Sequence, residues 1–270
     1  MWESGGINMY QLGFLGMGKM GSSILRGVLS EGVVHHGDVA FYAPSQQTQD
    51  RYTAQGLHLA KNERDLLEIS NLIFLAIKPQ KYDEILKNVQ DLNFTGKTVV
   101  SLAPGKSIAY LKRLLPGAKV VRAMPNTPAL ITEAVTTIAF DTEPVEEVLH
   151  IFSTIGTYAI VKEKQIDEAI PLQGSMPAYL FEFAKAFVEE GASYGIEYEE
   201  AKKLALNSII GSCLLALRSE DDFDTLINNV CSKGGSTIAG LNQLREHGFA
   251  EAIKECYEAC VARSIELGNV

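Results

Sequence analysis

The feature that most constrains the fold is a glycine-rich hexapeptide that directly follows a short apolar run. The run Tyr10–Leu15 has the length and composition of a buried strand, and Gly16-Met17-Gly18-Lys19-Met20-Gly21 then leads into a segment of helical periodicity. This order of strand, GxGxxG and helix is typical of dinucleotide-binding proteins. Gly16 permits the tight turn, Gly18 lets the backbone approach a pyrophosphate, and Gly21 lets the helix pack closely on the sheet. The helix N-terminus would face the phosphates. An ordinary structural turn is the alternative.

Strand-like and helix-like segments alternate along the first part of the chain, a pattern that predicts a parallel sheet with crossover helices. Further strands are predicted at residues 39–43, 72–77, 98–102, 119–123, 135–140 and 158–161. From about residue 165 helical spacing takes over, and helices are predicted at residues 179–190, 199–217, 223–230, 236–246 and 249–267. The predicted fold class is α/β, a Rossmann-like dinucleotide-binding domain at residues 9–164 followed by an all-α domain at residues 165–270. Residues 1–8 are predicted to be an N-terminal extension.

Charge and hydropathy argue against several classes of partner. With 24 Lys+Arg against 33 Asp+Glu the formal net charge is −9, which disfavours binding to the phosphate backbone of nucleic acid. No apolar run approaches the ~20 residues of a membrane-spanning helix, and the N-terminus lacks the basic start of a secretory signal. The four cysteines lie in the last quarter of the chain without the paired spacing of a zinc site. The sequence therefore predicts a cytoplasmic protein that binds no metal, nucleic acid or membrane.

The residues after the second predicted strand bear on the choice of cofactor. A carboxylate at this position bonds the ribose 2′-hydroxyl of NAD and repels the 2′-phosphate of NADP. Here the segment is Ala43-Pro44-Ser45-Gln46-Gln47, and the first acidic residue is Asp50. The missing carboxylate and the hydroxyl of Ser45 favour NADPH. Because the segment contains no arginine to bind the 2′-phosphate, NADH remains an alternative cofactor.

Three further segments are candidates for ligand contact. The segments Ala76-Ile77-Lys78-Pro79 and Met124-Pro125-Asn126-Thr127-Pro128 each close a predicted strand, and ligands of open α/β sheets bind outside the carboxyl ends of strands. Residues 229–237 place two glycines and several hydroxyls before a predicted helix, whose exposed N–H groups would suit an anion such as a carboxylate. Rigid turns are the alternative for the first two segments, and an ordinary capped helix start is the alternative for the third.

Several segments, taken in order, resemble the pyrroline-5-carboxylate reductase family. The matching segments are residues 13–21 (GFLGMGKMG), 76–80 (AIKPQ), 121–129 (VRAMPNTPA), 174–179 (GSMPAY) and 234–241 (GGSTIAGL). The resemblance implies an NAD(P)H-dependent reductase that passes a hydride to the C=N carbon of 1-pyrroline-5-carboxylate and so makes L-proline. It also implies that the helical domain dimerises and binds substrate, and that the homodimer can assemble into a decamer.

The same resemblance implies roles for individual residues. The loop that lines the pyrophosphate would consist of Gly16, Met17, Gly18, Lys19, Met20 and Gly21. The adenosine end would be held by Ser45 and Asn62, and the nicotinamide end by Ile77, Lys78 and Pro104. The substrate would be bound by Asn229, Gly235, Ser236 and Thr237, with backbone amides of the glycine loop holding its carboxylate.

Thr237 is the candidate catalytic residue. A protonated imine is already a good hydride acceptor, so positioning the two reacting carbons supplies most of the catalysis. A hydroxyl of ordinary pKa is too weak to act as a strong acid. Thr237 is therefore expected to bond the ring nitrogen and to orient or relay its proton.

The chain also departs from the family pattern. It has Gln173, Met176 and Lys233 where the family commonly has Ser, Gly and Pro. These departures leave two alternatives open. One is a related Rossmann-plus-helical dehydrogenase that acts on another small imino or hydroxy acid, and the other is a nucleotide-binding paralogue without turnover.

Overall fold

The computed structural model describes residues 9–268, without the side chains of residues 267 and 268. The predicted N-terminal extension, residues 1–8, lies outside the described residues. Eight strands form one sheet, in the spatial order β3-β2-β1-β4-β5-β6-β7-β8. They are β1 (Tyr10–Leu15), β2 (Val39–Tyr42), β3 (His58–Leu59), β4 (Ser70–Leu75), β5 (Thr98–Ser101), β6 (Lys119–Pro125), β7 (Ala134–Phe140) and β8 (Gly156–Ile160).

Helices cover both faces of this sheet. They are α1 (Lys19–Ser30), α2 (Gln46–Thr53), α3 (Glu63–Ile69), α4 (Tyr82–Leu86), α5 (Ile108–Leu114), α6 (Glu146–Ser153) and α7 (Glu163–Glu168). Successive residues of β4 belong to different apolar clusters, Phe74 to one and Ile73 to the other. Because a strand buried on both faces must be apolar at every position, the central strands stand out in the sequence as continuous apolar runs.

The sheet is parallel except between β6 and β7, which pair antiparallel. Only residues 126–133 separate the two strands, and most of them form the 3₁₀ helix Thr127–Ile131. A parallel connection needs a crossover of a dozen or more residues. The short connection therefore forces the chain to turn back.

The second part of the chain is helical. Its helices are α8 (Met176–Ser193), α9 (Tyr198–Arg218), α10 (Phe223–Val230), α11 (Ser236–Glu246) and α12 (Phe249–Gly268). The contacts divide the chain into two compact units. The first consists of the residues up to Ser175 together with those from Val261 onward, and the second is Met176–Cys260. The predicted fold class, a Rossmann-like domain followed by a helical one, is confirmed. No helix within residues 9–268 is long and apolar enough to cross a membrane.

A buried arginine joins the sheet to α7 and to the end of α12. The guanidinium of Arg122 in β6 lies 3.3 Å from Glu163 and 3.5 Å from Asp167. Glu163 also accepts a hydrogen bond from the backbone N–H of Ile108 at 2.6 Å, and Asp167 accepts one from the hydroxyl of Ser264 at 3.0 Å. Since Arg122 is only 4% exposed, its charge requires a carboxylate partner within the protein, and it has two.

A buried lysine caps the C-terminal end of α3. The ammonium of Lys97 donates to the backbone carbonyls of Leu67, Glu68 and Ser70 at 2.9, 2.6 and 2.7 Å. Carbonyls at the C-terminal end of a helix lack partners within the helix, so the ammonium replaces those bonds. Burial lowers the pKa of Lys97 to about 8, and the neighbouring carboxylate of Glu68 opposes the change.

We expect Lys97→Met to lower the free energy of unfolding by about 2 kcal/mol, because hydrogen bonds to a charged group are lost and the carbonyls stay buried. Urea denaturation measures the change. Lys61→Met is the control, since that lysine is exposed just before α3. Equal stability of the two variants would show that the Lys97 bonds contribute nothing.

Candidate functional site

The carboxyl ends of three neighbouring strands meet at one edge of the sheet. The N–H of Gly16 donates to the carbonyl of Tyr42 at 2.9 Å, and the N–H of Ala76 donates to Leu15 at 2.8 Å. The N–H of Leu102 continues the ladder with a 3.3 Å bond to the carbonyl of Leu75. The segments that follow β1, β4 and β5 therefore start side by side, where open α/β sheets bind ligands.

Two glycines of the hexapeptide are required by close contacts. Gly16 has φ +95°, and a Cβ there would lie 2.6 Å from the carbonyl oxygen of Ala76 and 3.0 Å from the side chain of Ile77. A Cβ on Gly21 would lie 2.6 Å from the carbonyl oxygen of Gly16. At Gly16 a side chain would push the β1–α1 turn away from the segment that follows β4, and at Gly21 it would collide with the turn itself.

Gly18 differs from them, because a Cβ there would have nothing within 4 Å. It is the N-cap of α1, with φ −73°, and α1 has neither a side-chain cap nor an acidic residue in its first turn. The first-turn N–H groups of a helix lack partners within the helix and favour anions. This open, uncapped N-terminus fits a pyrophosphate approaching the backbone at Gly18.

The other residues of the loop fall into two groups. Gly18 and Lys19 are exposed, whereas the side chain of Met17 is buried in the apolar core and Met20 packs against it. Contact of Met17 with a cofactor would therefore have to come from its backbone.

The two residues assigned to the adenosine end both lie at helix starts. Ser45 is exposed and is the N-cap of α2, but its hydroxyl makes no capping hydrogen bond. Asn62 is the N-cap of α3, and its Oδ1 accepts a bond from the N–H of Asp65 at 2.9 Å. Asn62 thus has a structural task, and its amide nitrogen is the group left to face a ligand.

A buried tyrosine links the ends of the two strands that precede the segments assigned to the nicotinamide end. The hydroxyl of Tyr82 donates to the carbonyl of Leu75 at 2.9 Å and lies 3.0 Å from Oγ of Ser101. It joins the ends of β4 and β5, after which Ile77 and Lys78 follow one strand and Pro104 the other. Burial raises the pKa of Tyr82 well above its ordinary value, so it stays neutral.

Asn126, which lies in a segment that the sequence offered as a candidate for ligand contact, is a buried structural residue that holds neighbouring segments together. Its Oδ1 accepts from the N–H of Val135 at 2.8 Å, and its Nδ2 donates to the carbonyl of Gln173 at 2.9 Å. It therefore holds the end of β6 to the start of β7 and to the segment before α8. The side chain of Gln173, one of the three departures from the family pattern, is buried and its Nε2 lies 3.4 Å from Oγ1 of Thr137.

The glycine loop lies in the helical unit, between α10 and α11. Gly234 has φ +73°, and a Cβ on Gly235 would lie 2.4 Å from Oγ of Ser232. Gly235 is the N-cap of α11, which, like α1, has neither a side-chain cap nor an acidic residue in its first turn. The N–H of Gly235 donates to the carbonyl of Ser232 at 3.0 Å, so the donors left for a ligand are the first-turn N–H groups of α11, from Ser236 onward.

Ser236 and Thr237 are exposed at the start of α11 and line a cavity of about 570 Å³ together with Phe187, Leu244 and His247. Asn229, near the end of α10, is exposed, as is Lys233 in the loop itself. Within the helical unit the structure thus brings three of the four predicted substrate residues, Gly235, Ser236 and Thr237, to one helix start. The fourth, Asn229, precedes the loop.

Two family models match the chain. The one described as pyrroline-5-carboxylate reductase dimerisation matches residues 163–267, and the one described as NADP oxidoreductase coenzyme F420-dependent matches residues 11–105. The first covers the helices from α7 onward, and the second covers the glycine hexapeptide and the strands β1 to β5.

Several curated proteins are similar along nearly their whole length. The pyrroline-5-carboxylate reductase of Escherichia coli is 32% identical over 265 residues, which cover 96% of this chain and 98% of that protein. Pyrroline-5-carboxylate reductase 3 of Danio rerio is 30% identical over 99% of this chain and 94% of that protein.

Solved structures agree with these relatives. The pyrroline carboxylate reductase of Plasmodium falciparum, solved with NADP bound, has a TM-score of 0.86 at 27% identity and covers 97% of this chain and 100% of that one. The enzyme of Coxiella burnetii has a TM-score of 0.87 at 27% identity, covering 96% and 99%. With the glycine hexapeptide, the Ala76–Pro79 turn and the glycine loop in the order that the family has, the chain belongs to the pyrroline-5-carboxylate reductase family.

Proposed function

We propose that this protein is an NADPH-dependent reductase that converts 1-pyrroline-5-carboxylate to L-proline, the last step of proline biosynthesis. The observation that carries the proposal is the similarity to curated pyrroline-5-carboxylate reductases over 96% of the chain. The similar region includes both the nucleotide fingerprint and the glycine loop. It therefore covers the segments proposed for the hydride donor and for the substrate.

The first unit would hold the cofactor. The open N-terminus of α1 would take the pyrophosphate, through the backbone of residues 16–21. Ser45 and Asn62 would contact the adenosine, and Ile77, Lys78 and Pro104 would lie toward the nicotinamide. Two observations support NADPH, with NADH as the second choice: the residues after β2 carry no carboxylate before Asp50, and a solved relative has NADP bound. When bound, NADPH supplies a hydride.

The second unit would hold the substrate. Its carboxylate would accept hydrogen bonds from the N–H groups at the start of α11, around Gly235 and Ser236, and Asn229 would contribute from α10. The uncapped helix start and the positive φ of Gly234 support this assignment. Lys233 adds a cation beside the loop, which favours an anionic substrate.

Thr237 would act on the ring nitrogen. In the balanced reaction the C=N carbon gains a hydride, the nitrogen gains or keeps a proton, and the C=N double bond becomes a single bond. The hydroxyl of Thr237 would bond the nitrogen and orient or relay its proton. Since a hydroxyl is a weak acid, its main contribution would be orientation.

We further propose that residues 9–164 form the dinucleotide-binding domain and residues 165–270 the dimerisation and substrate domain of a cytoplasmic homodimer, with a decamer as the larger assembly. Large apolar side chains of the helical unit are exposed in the single chain, among them Phe181, Leu204, Ile210, Leu217 and Phe223. A surface this apolar is typical of a face that another protein surface covers. The family model for dimerisation matches the same residues.

Gly18→Asp should abolish NADPH binding while the fold survives, because the new carboxylate would occupy the open cradle and repel the pyrophosphate. Calorimetric titration measures the affinity, and the melting temperature reports on the fold. Gly18→Ala is the matched control: its Cβ meets no neighbouring atom, so it should fold and lose less affinity. Tight NADPH binding in Gly18→Asp would refute the assignment of this loop.

Cofactor choice can be reversed at Ser45. We expect the wild type to prefer NADPH and Ser45→Asp to prefer NADH, because a carboxylate repels the 2′-phosphate and bonds the 2′-hydroxyl. Aspartate is also a good N-cap, so α2 should not suffer. Ser45→Asn separates charge from size. A wild type that prefers NADH by tenfold or more in kcat/KM, about 1.4 kcal/mol, would contradict the proposal.

Thr237→Val should lower turnover and leave NADPH affinity almost unchanged, because it removes one hydroxyl and keeps the branched shape. Loss of one hydrogen bond to the reacting nitrogen should cost about 1–3 kcal/mol, or roughly 5- to 150-fold in kcat/KM. Thr237→Ser, which keeps the hydroxyl, should recover most of the activity.

The cap of α11 is Gly235, without a side-chain bond, so the melting temperature of Thr237→Val should stay close to that of the wild type. Wild-type kcat/KM in Thr237→Val would remove this hydroxyl from the mechanism. The backbone amides would then be the main substrate contacts.

A further inference from the structure

A cavity also lies at the opposite end of the strands, where they begin. A space of about 320 Å³ lies where β1, β4, β5 and β6 begin, and it is closed on one side by α6. The fingerprint loop and the segments after β4 and β5 are at the carboxyl ends of the same strands. The two sites therefore lie at opposite edges of the sheet, and this cavity is not part of the cofactor site.

The floor of the cavity is apolar. It includes Leu12 of β1, Leu72 of β4 and Ile151 of α6, all of them buried. These side chains belong to the main apolar core cluster. A ligand could thus bury an apolar group there without a rearrangement of the core.

Two residues of opposite charge line the same cavity. Lys119 is the first residue of β6, and Glu147 lies in the first turn of α6. Both are exposed, and within residues 9–268 neither forms an ion pair with the other or with a third group. His150, one turn further along α6, and the amide of Asn71 add polar groups to the lining. Because these two residues line one cavity and do not pair with each other, an ammonium and a carboxylate are available beside the same ligand.

We propose that this cavity binds a small amino acid in its zwitterionic form, with an apolar side chain or ring on the floor. The ligand carboxylate would face Lys119, and its ammonium would face Glu147. A simple anion or a simple cation would satisfy one pole and leave the other unpaired, so it should bind more weakly. The volume is close to the lower end of ligand pockets, about 300 Å³, which restricts the ligand to a few heavy atoms beyond the zwitterion.

Calorimetric titration of the full chain without cofactor tests the ligand class. The probe is L-valine, with isovalerate and isobutylamine as shape-matched ligands that each carry only one of its two charges. We expect L-valine to bind at least tenfold more tightly than either singly charged probe. Equal binding of isovalerate, or no binding of any of the three at about 10 mM, would overturn the proposal.

Charge reversal tests the location. Lys119→Glu and Glu147→Lys should each abolish binding of L-valine, and the double variant should restore it because the ligand can bind in the reversed orientation. Glu146→Lys is the matched control: it makes the same charge change at the neighbouring position of α6, which does not line the cavity. It should bind like the wild type.

Unchanged binding in the single variants, or no recovery in the double variant, would show that the amino acid binds elsewhere. Lys119→Gln and Glu147→Gln repeat the test with smaller changes if a reversal variant has a lowered melting temperature. No turnover enters these measurements, so their failure would leave the proposed reductase activity unaffected.

Discussion

The close approach of the β1–α1 turn to the end of β4 is the contact on which the rest of the nucleotide unit depends. Gly16 adopts φ +95°, and any side chain there would collide with the carbonyl oxygen of Ala76 at 2.6 Å. This turn directs α1 back across the sheet and leaves its N-terminus at the edge where β4 and β5 also end. With the ladder bonds from Ala76 to Leu15 and from Leu102 to Leu75, this contact places the segments assigned to the nicotinamide end beside the fingerprint.

Buried polar side chains hold in place the segments that follow the carboxyl ends of the strands. Tyr82 joins the ends of β4 and β5, and Asn126 joins the end of β6 to the next strand and to the segment before α8. Each bond lies in a medium of low dielectric, where an unpaired polar group is costly. Loops tied in this way keep a single geometry, which is what a site that works by positioning requires.

The sequence predicted the elements whose patterns are strong. The apolar run and the hexapeptide predicted β1 and the start of α1. Helices α10 and α11 have the predicted bounds. The short helices α2 and α3 were not predicted. Gln46–Thr53 carries few apolar residues, Glu63–Ile69 is too short to show a clear helical period, and caps and packing decide the structure of both. The hydrogen bonds of Asn126 could not be predicted either. Its partners are 9 and 47 residues away along the chain, and no local pattern carries that information.

The helix starts show how a chain of net charge −9 can bind anions. Helices α3, α9 and α10 each have a side-chain cap and acidic residues in the first turn, so their N-terminal donors and dipoles are already satisfied. Helices α1, α2 and α11 have neither. These are the helices that begin at Gly18, Ser45 and Gly235, the positions proposed for the pyrophosphate, the 2′-phosphate and the substrate carboxylate. Affinity for an anion depends on the field at the place where it binds, and each of these three helix starts has neither an acidic residue in its first turn nor a side-chain cap.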